Sequence, residues 1–430
     1  MRKNMEKNQN ISNLLNEIHI PEMARYKQHF NSTRLACPRK ELANQLPGMK
    51  SRIKPGMSVA ITAGSRGING IAGFVKTIVE FVQDCGAEPF VFPAMGSHAG
   101  SNAQWQKELL KGYGITEEYL GCPILSSMEV TKVGEEGEEK LPVYVDKYAA
   151  EADAVIVMNR IKPHTGFTSD YGSGLAKMMC IGMGKQKGAD SMHNAGFGVF
   201  AHRVPAFAKV ILDHINIIFG VAIIENAYDE TMMLKVIPAE DILEEEPVLL
   251  KCARENMAKI LISETDVLIV QTIGKNFAGA GMDANITGTF ATPYASGGIK
   301  KKRTVALDLS EESEGNAFGI GKADFTTRRL FEKIDFYAMY PNPLTSTVIE
   351  PCFIPMVLDS DELAIKAAIK TCNGIDKDNP RIVYIKNTNE ISEIWLSRAL
   401  WEEADAVPGL EKDRIDPFHF DEEGNLTWIG

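Results

Sequence analysis

The sequence predicts an α/β protein built from two α/β domains with parallel-type sheets and an active-site cleft between them. Three observations carry that expectation. Short apolar, β-rich runs alternate with segments of helical periodicity. Glycine-rich or polar loops follow several of the strand-like runs, and in open parallel sheets ligands gather outside those carboxyl ends. The chain of 430 residues is also too long for one ordinary core.

The elements follow in order. "MSVAITAG" (57–64) reads as a buried strand bounded by glycines. The helix after it has Ile71, Phe74, Val75, Ile78, Val79 and Val82 on one side and ends at Gly86. "EPFVFPAMGSHAG" is the next strand, finishing in a loop with His98. "ADAVIVMNRIKPHTG" (152–166) repeats the arrangement, its loop carrying Arg160, Lys162 and His164. A helix is expected to start near Lys177, then a helix at "RVPAFAKVILDHI", a strand at "FGVAIIEN" and a charged amphipathic helix at "EDILEEEPVLLKCARENMAKIL". "ETDVLIVQTIG" opens a second α/β unit, with a strand in "KKRTVALDLS", a helix in "ELAIKAAIKTCNG", a strand in "PRIVYIKN" and a helix in "EISEIWLSRALWEEA". The expected domains are 1–265 and 266–411, with the tail 412–430 able to return to the first.

Composition narrows the class. Apolar content of 44% and charged content of 24% are those of a globular enzyme. A net charge of −11 argues against a general nucleic-acid binder, which needs a basic face. The 7 cysteines are dispersed without CxxC spacing, so neither a zinc knuckle nor a disulfide framework is expected. With no apolar signal core at the start and no apolar run long enough for a membrane span, the expectation is a cytoplasmic protein that uses neither membrane nor nucleic acid.

The chemistry-bearing residues sit in the loops. Of 8 histidines, His98, His164 and His193 lie in or beside glycine-rich segments. Histidine exchanges protons near neutral pH and ligates metals. Arg66, in "AGSRG" after a strand, can grip a carboxylate or phosphate by two parallel hydrogen bonds. Lys177 follows the glycine turn "YGSGLA", and "GMGKQKG" offers two rival lysines, Lys185 and Lys187. Gln186 after Lys185 rules out a Walker-type phosphate loop. Taken singly, each of these residues also reads as an ordinary loop histidine, surface arginine or first-turn lysine.

Together, Arg66, His98, His164, Lys177 and His193 resemble, in order and spacing, the constellation of the lactate racemase family, whose enzymes use a nickel-pincer nucleotide. The stretch "RIKPHTGF", then "SGLAK", then His193 carries most of the resemblance, and "IGKNFAGAGMDANITG" resembles the start of that family's second domain. The resemblance implies that Lys177 covalently tethers the nucleotide and His193 completes the nickel site. It also implies that His98 and His164 are the two catalytic bases and that Arg66 holds the substrate carboxylate. Ser65 and Gly174, in the same loops, are the further cofactor-binding candidates, and cofactor maturation enzymes are the implied partners. The implied activity is racemisation or epimerisation of a 2-hydroxy acid by proton-coupled hydride transfer.

Three departures from the family's pattern stand out, and the last points away from lactate itself. Ala63 stands where the family's motif has an acidic residue, and the loop around Ser169–Tyr171 is longer. Thr287, Gly288 and Ala291 stand where lactate racemase has larger polar side chains against the substrate. The space they leave suits a larger 2-hydroxy acid, such as a sugar acid. The alternatives are another nucleotide-dependent oxidoreductase, although "AGSRGINGIAG" is off the GxGxxG pattern, and a non-catalytic ligand-binding protein on the same scaffold.

Overall fold

The computed structural model describes residues 10–65, 67–194 and 196–427. The chain divides into two units. One runs from Asn31 to Met257, and the other joins the residues up to Phe30 with those from Ala258 onward. Strand β1 (Met23–Gln28) belongs to the second of these.

In the Asn31–Met257 unit the strands are β2 (Ser58–Ala63), β3 (Glu88–Pro93), β4 (Val130–Glu136), β5 (Leu141–Asp146), β6 (Ala154–Arg160), β7 (Ile217–Glu225) and β8 (Thr231–Pro238). Among the described residues the main sheet has the order β3-β2-β6-β7-β8. It is parallel except for β8, which runs antiparallel to β7. Strands β4 and β5 form a separate hairpin.

Side-chain alternation sends neighbouring residues to opposite faces of this sheet, each with its own core. Ile61, Ile156 and Val221 face the Ile71–Asp84 helix, whose Phe74, Val75, Ile78 and Val82 are buried there. Ala60, Val155, Val157 and Ala222 face the other core, with Phe207 and Ile211 of the Phe200–His214 helix. Every residue of β7 is buried, as expected of an inner strand covered on both faces.

The second unit holds β9 (Val267–Ile273), β10 (Arg303–Leu309), β11 (Phe325–Thr327), β12 (Met356–Leu358), β13 (Ile382–Ile385), β14 (Glu393–Ser397) and β15 (Leu410–Ile415). Its sheet order among the described residues is β12-β11-β10-β9-β13-β14-β1-β15. The five strands from β12 to β13 are parallel, and β14, β1 and β15 continue the sheet antiparallel.

Two sequence expectations differ from this. The compact units divide at residue 257 rather than 265, and β1 sits between β14 and β15, so β1 and the strand that opens the tail both belong to the second unit. Main-chain pairing between segments so distant leaves no local sequence pattern. The stretch expected as one helix at "EISEIWLSRALWEEA" is instead strand β14, a 3₁₀ turn and a short helix, Trp401–Ala406. Ile394, Trp395, Leu396 and Ser397 are all buried between β13 and β1. A fully buried strand has no alternation to betray it, so its apolar spacing passes for a helical one. Among the described residues no single helix is long and apolar enough to cross a membrane.

Candidate functional site

Adjacent parallel strands deliver the candidate residues. Ser65 follows β2, the His98 loop follows β3, and Lys162 and His164 follow β6, and these three strands are neighbours in the sheet. Arg66, the candidate carboxylate clamp, lies outside the described residues. Ser65 is half-buried, and its carbonyl accepts from the Tyr113 hydroxyl at 2.9 Å.

The segment carrying Lys177 packs over these strand ends. Its helix, Leu175–Lys177, runs straight into a π turn, Met178–Gly182. A Cβ on Gly64 would sit 3.0 Å from the Met178 side chain. One on Gly182 would sit 2.8 Å from the Ala94 carbonyl, and the Gly96 N–H donates to the Gly182 carbonyl at 3.1 Å. Glycine at these places is therefore what allows the π turn to close on the ends of β2 and β3. Such π turns occur often at functional sites.

The two candidate bases differ in their hydrogen bonds. His98 is exposed, and its Nδ1 faces the Met95 carbonyl at 2.7 Å. A carbonyl only accepts, so Nδ1 carries the proton and the neutral ring has its lone pair at Nε2. His164 is half-buried, and its Nδ1 accepts from the Gly166 N–H at 2.9 Å, which puts the proton of the neutral ring at Nε2.

His164 and His193 meet through an aromatic cluster. His164 stacks on Phe167 with centroids 4.6 Å apart and lies 6.1 Å from Phe197. His193 contacts Phe197 edge-on at 5.3 Å and Phe200 at 4.9 Å, and these two phenylalanines stack at 4.6 Å. His193 closes the Lys185–His193 helix, where its Nδ1 donates to the Ala189 carbonyl at 2.6 Å. Burial pushes its pKa down, opposed by that bond and reinforced by the positive charge of Lys177. A neutral imidazole with its lone pair at Nε2 is the state that ligates a metal.

Burial separates Lys185 from Lys177 and Lys187. Lys185 has no exposure, and its ammonium is held by Asp146 at 3.2 Å, Gln106 at 3.3 Å and the Pro93 carbonyl. It is in no position to bind a tethered group. Lys177 is half-exposed and within electrostatic reach of His193. Among the described residues no three His, Cys, Asp or Glu side chains cluster as a metal site.

Gly174 has a second explanation that the sequence did not offer. Glu246, fully buried on the Ile242–Asn256 helix, accepts from the Ala176 N–H at 2.8 Å at the start of the Lys177 helix. A Cβ on Gly174 would fall 2.1 Å from Glu246 Oε1. The helix start that a phosphate would favour is therefore already met by a carboxylate of the chain itself. Desolvation raises the Glu246 carboxyl to about 7 against the pull of the backbone bonds. Nothing in "LEEEPVLL" marks which of its three glutamates is buried, whereas the spacing of Phe197 and Phe200 on one helical face is a legible, if common, signal.

In the second unit, Thr287 ends the Ala284–Thr287 turn and is buried, its hydroxyl donating to the Asp283 carbonyl at 3.0 Å. Gly288 follows with a φ of 67°.

A family model described as a domain of unknown function, DUF362, matches residues 53–242. Two solved structures share the fold. A protein from Thermotoga maritima is 14% identical with a TM-score of 0.54, over 82% of this chain and 97% of that one. The lactate racemase apoprotein from Thermoanaerobacterium thermosaccharolyticum is 12% identical with a TM-score of 0.55, over 83% of this chain and 93% of that one. No curated protein matches in sequence. The chain thus has an α/β fold similar to that of lactate racemase, and its Ile53–Ile242 segment is similar to the DUF362 domain.

Proposed function

We propose that this protein is a racemase or epimerase of a 2-hydroxy acid larger than lactate, a sugar acid being the favoured class. The observation that carries the reading is that two histidines in opposite tautomers follow β3 and β6, the strands on either side of β2, and that the segment bearing Lys177 touches the ends of β2 and β3. The lactate racemase-like fold supports it.

His98, with its lone pair at Nε2, takes the hydroxyl proton from one enantiomer. His164 presents Nε2–H and holds the substrate oxygen as a donor. To give a proton to the product oxygen as an imidazolium, balancing the one His98 has taken, or to take a proton from the other enantiomer at Nε2, its ring must carry hydrogen at Nδ1 and so release the Gly166 N–H; in the reverse direction the two histidines exchange roles. Arg66 holds the carboxylate in this reading, as an arginine fork can. Phe167, Phe197 and Phe200 shield the His164 and His193 side from water. Lys177 and His193 would hold a nickel-pincer nucleotide, which when bound supplies a reversible hydride acceptor. The reading further places the protein in the cytoplasm with maturation enzymes as partners.

The test is coexpression with pincer-nucleotide maturation enzymes, followed by a screen of single-enantiomer 2-hydroxy acids. Conversion of at least one to its epimer is expected. A nickel-loaded protein that isomerises none of them would overturn the reading.

A further inference from the structure

The reaction above leaves one buried charge network unused. Lys185, Asp146 and Gln106 all have no exposure. The Lys185 ammonium lies 3.2 Å from Asp146 Oδ2 and 3.3 Å from Gln106 Oε1, and it also donates to the carbonyl of Pro93, the last residue of β3. An ammonium has no acceptor, so it fixes the Gln106 amide with its oxygen toward Lys185. The Gln106 nitrogen then points the other way and donates to the carbonyls of Gly96 and His98, each at 3.1 Å. Next in the chain, Gln186 accepts from the Ser101 hydroxyl at 2.5 Å.

The loop held in this way is a costly one. Gly96, Ala99, Gly100 and Ser101 all have positive φ, and so does Lys185. Ala99, Ser101 and Lys185 adopt it against the steric preference of L-residues. Such strain persists only where the surroundings over-determine it. A buried ion pair is weak evidence for stability, since apolar residues of similar size often replace one without loss. The network's distinctive product is geometric. Lys185 begins the helix that ends at His193, and through Gln106 it grips the loop that carries His98.

We infer that Lys185 and Gln106 are positioning residues for His98. They lock the 96–101 loop to the Lys185–His193 helix so that the His98 ring keeps its Nδ1–H bond to Met95 and presents Nε2 for proton transfer. The inference rests on the reading of His98 as a base, but its structural half is measurable without turnover.

Two variants of the full-length chain test it. Lys185→Met with Asp146→Asn removes both buried charges together. Gln106→Glu keeps an acceptor for Lys185 and removes the two N–H donors to the loop. Histidine-labelled protein is examined by ¹⁵N NMR, with His98 assigned through His98→Gln. In the wild type the His98 ring should read as the Nδ1–H tautomer and His164 as Nε2–H. In both variants His98 should shift toward the Nε2–H form that free histidine prefers, while His164 stays unchanged. In holoenzyme, kcat should fall by about 10²-fold with KM little altered, as for a misplaced catalytic group. Retention of the wild-type His98 tautomer by either folded variant would overturn the proposal. Absence of isomerase activity in the wild type would instead overturn the functional reading and leave the tautomer result standing.

Discussion

His98 donates from Nδ1 to the Met95 carbonyl at 2.7 Å, whereas His164 accepts at Nδ1 from the Gly166 N–H at 2.9 Å, so the two rings are held in opposite tautomers. One presents a lone pair and the other a proton at Nε2. In the proposed reading, this pair supplies one base and one donor for a hydroxyl.

Removal of either ring should therefore block full inversion. His98→Ala and His164→Ala holoenzymes should each lose about 10²–10⁴ in isomerisation rate, the usual contribution of a general base. Each should still bleach the cofactor absorbance with one enantiomer, with opposite preference. Solvent deuterium should not enter the α-carbon of the product, because the substrate's own hydrogen returns. Near-wild-type rates in either variant, or deuterium at that carbon, would contradict the two-base scheme.

Lys177 and Lys185 make opposite predictions for the tether. After coexpression with the maturation enzymes, intact mass should rise by one nucleotide and nickel should approach one per chain. Lys177→Ala should abolish the mass shift. Lys185→Met with Asp146→Asn should retain it, since Lys185 is enclosed by Asp146, Gln106 and Pro93. An adduct that survives Lys177→Ala refutes the assignment.

Gly174 should tolerate no side chain while Glu246 stays in place. A Cβ there would meet Glu246 Oε1 at 2.1 Å, so Gly174→Ala should destabilise by about 1–3 kcal/mol, the typical cost of overpacking. Glu246→Asp withdraws the carboxylate, and the double variant should lose less than the sum of the two single changes. Additive losses in denaturant melts would show that the clash is not the cause.

Glu246 should also leave a mark on stability against pH. Its carboxyl titrates at about 7 in the fold against an ordinary value of 4.5, so the folded state binds the extra proton between these limits. The contribution is fully present below the unfolded pKa and is lost as pH rises through the folded one, so wild-type stability should fall between about pH 4.5 and 7. Glu246→Gln should flatten that segment of the curve, since it has no proton to lose. An unchanged slope in melting temperature between pH 5 and pH 8 would assign the effect to another group.

The βαβ run from β2 to β3 was legible because its strands are short, apolar and bounded by glycine, and its helix has a clean 3.6-residue face. His98 and His164 were legible as candidates for the same reason: each closes such a strand. Strand β14 was not, because Ile394, Trp395 and Leu396 are buried on both faces and their spacing fits a helix equally well. Glu246 was hidden among like neighbours, and only packing against Gly174 singles it out.

The features readable from the chain alone are therefore local: the alternating α/β pattern, the loops at strand ends, and the residue types those loops carry. Periodicity and turn chemistry act over a few residues, and a single chain displays them directly. Which partners those residues meet depends on how the whole chain folds. The choice between Lys177 and Lys185 turns on Asp146 and Gln106, both remote in the chain. The tautomers of His98 and His164 turn on a carbonyl and an N–H fixed by loop conformation. The inclusion of β1 in the second unit turns on pairing with β14 and β15. Burial, proton placement and strand pairing are properties of groups brought together by the whole fold, so no short stretch of sequence contains them.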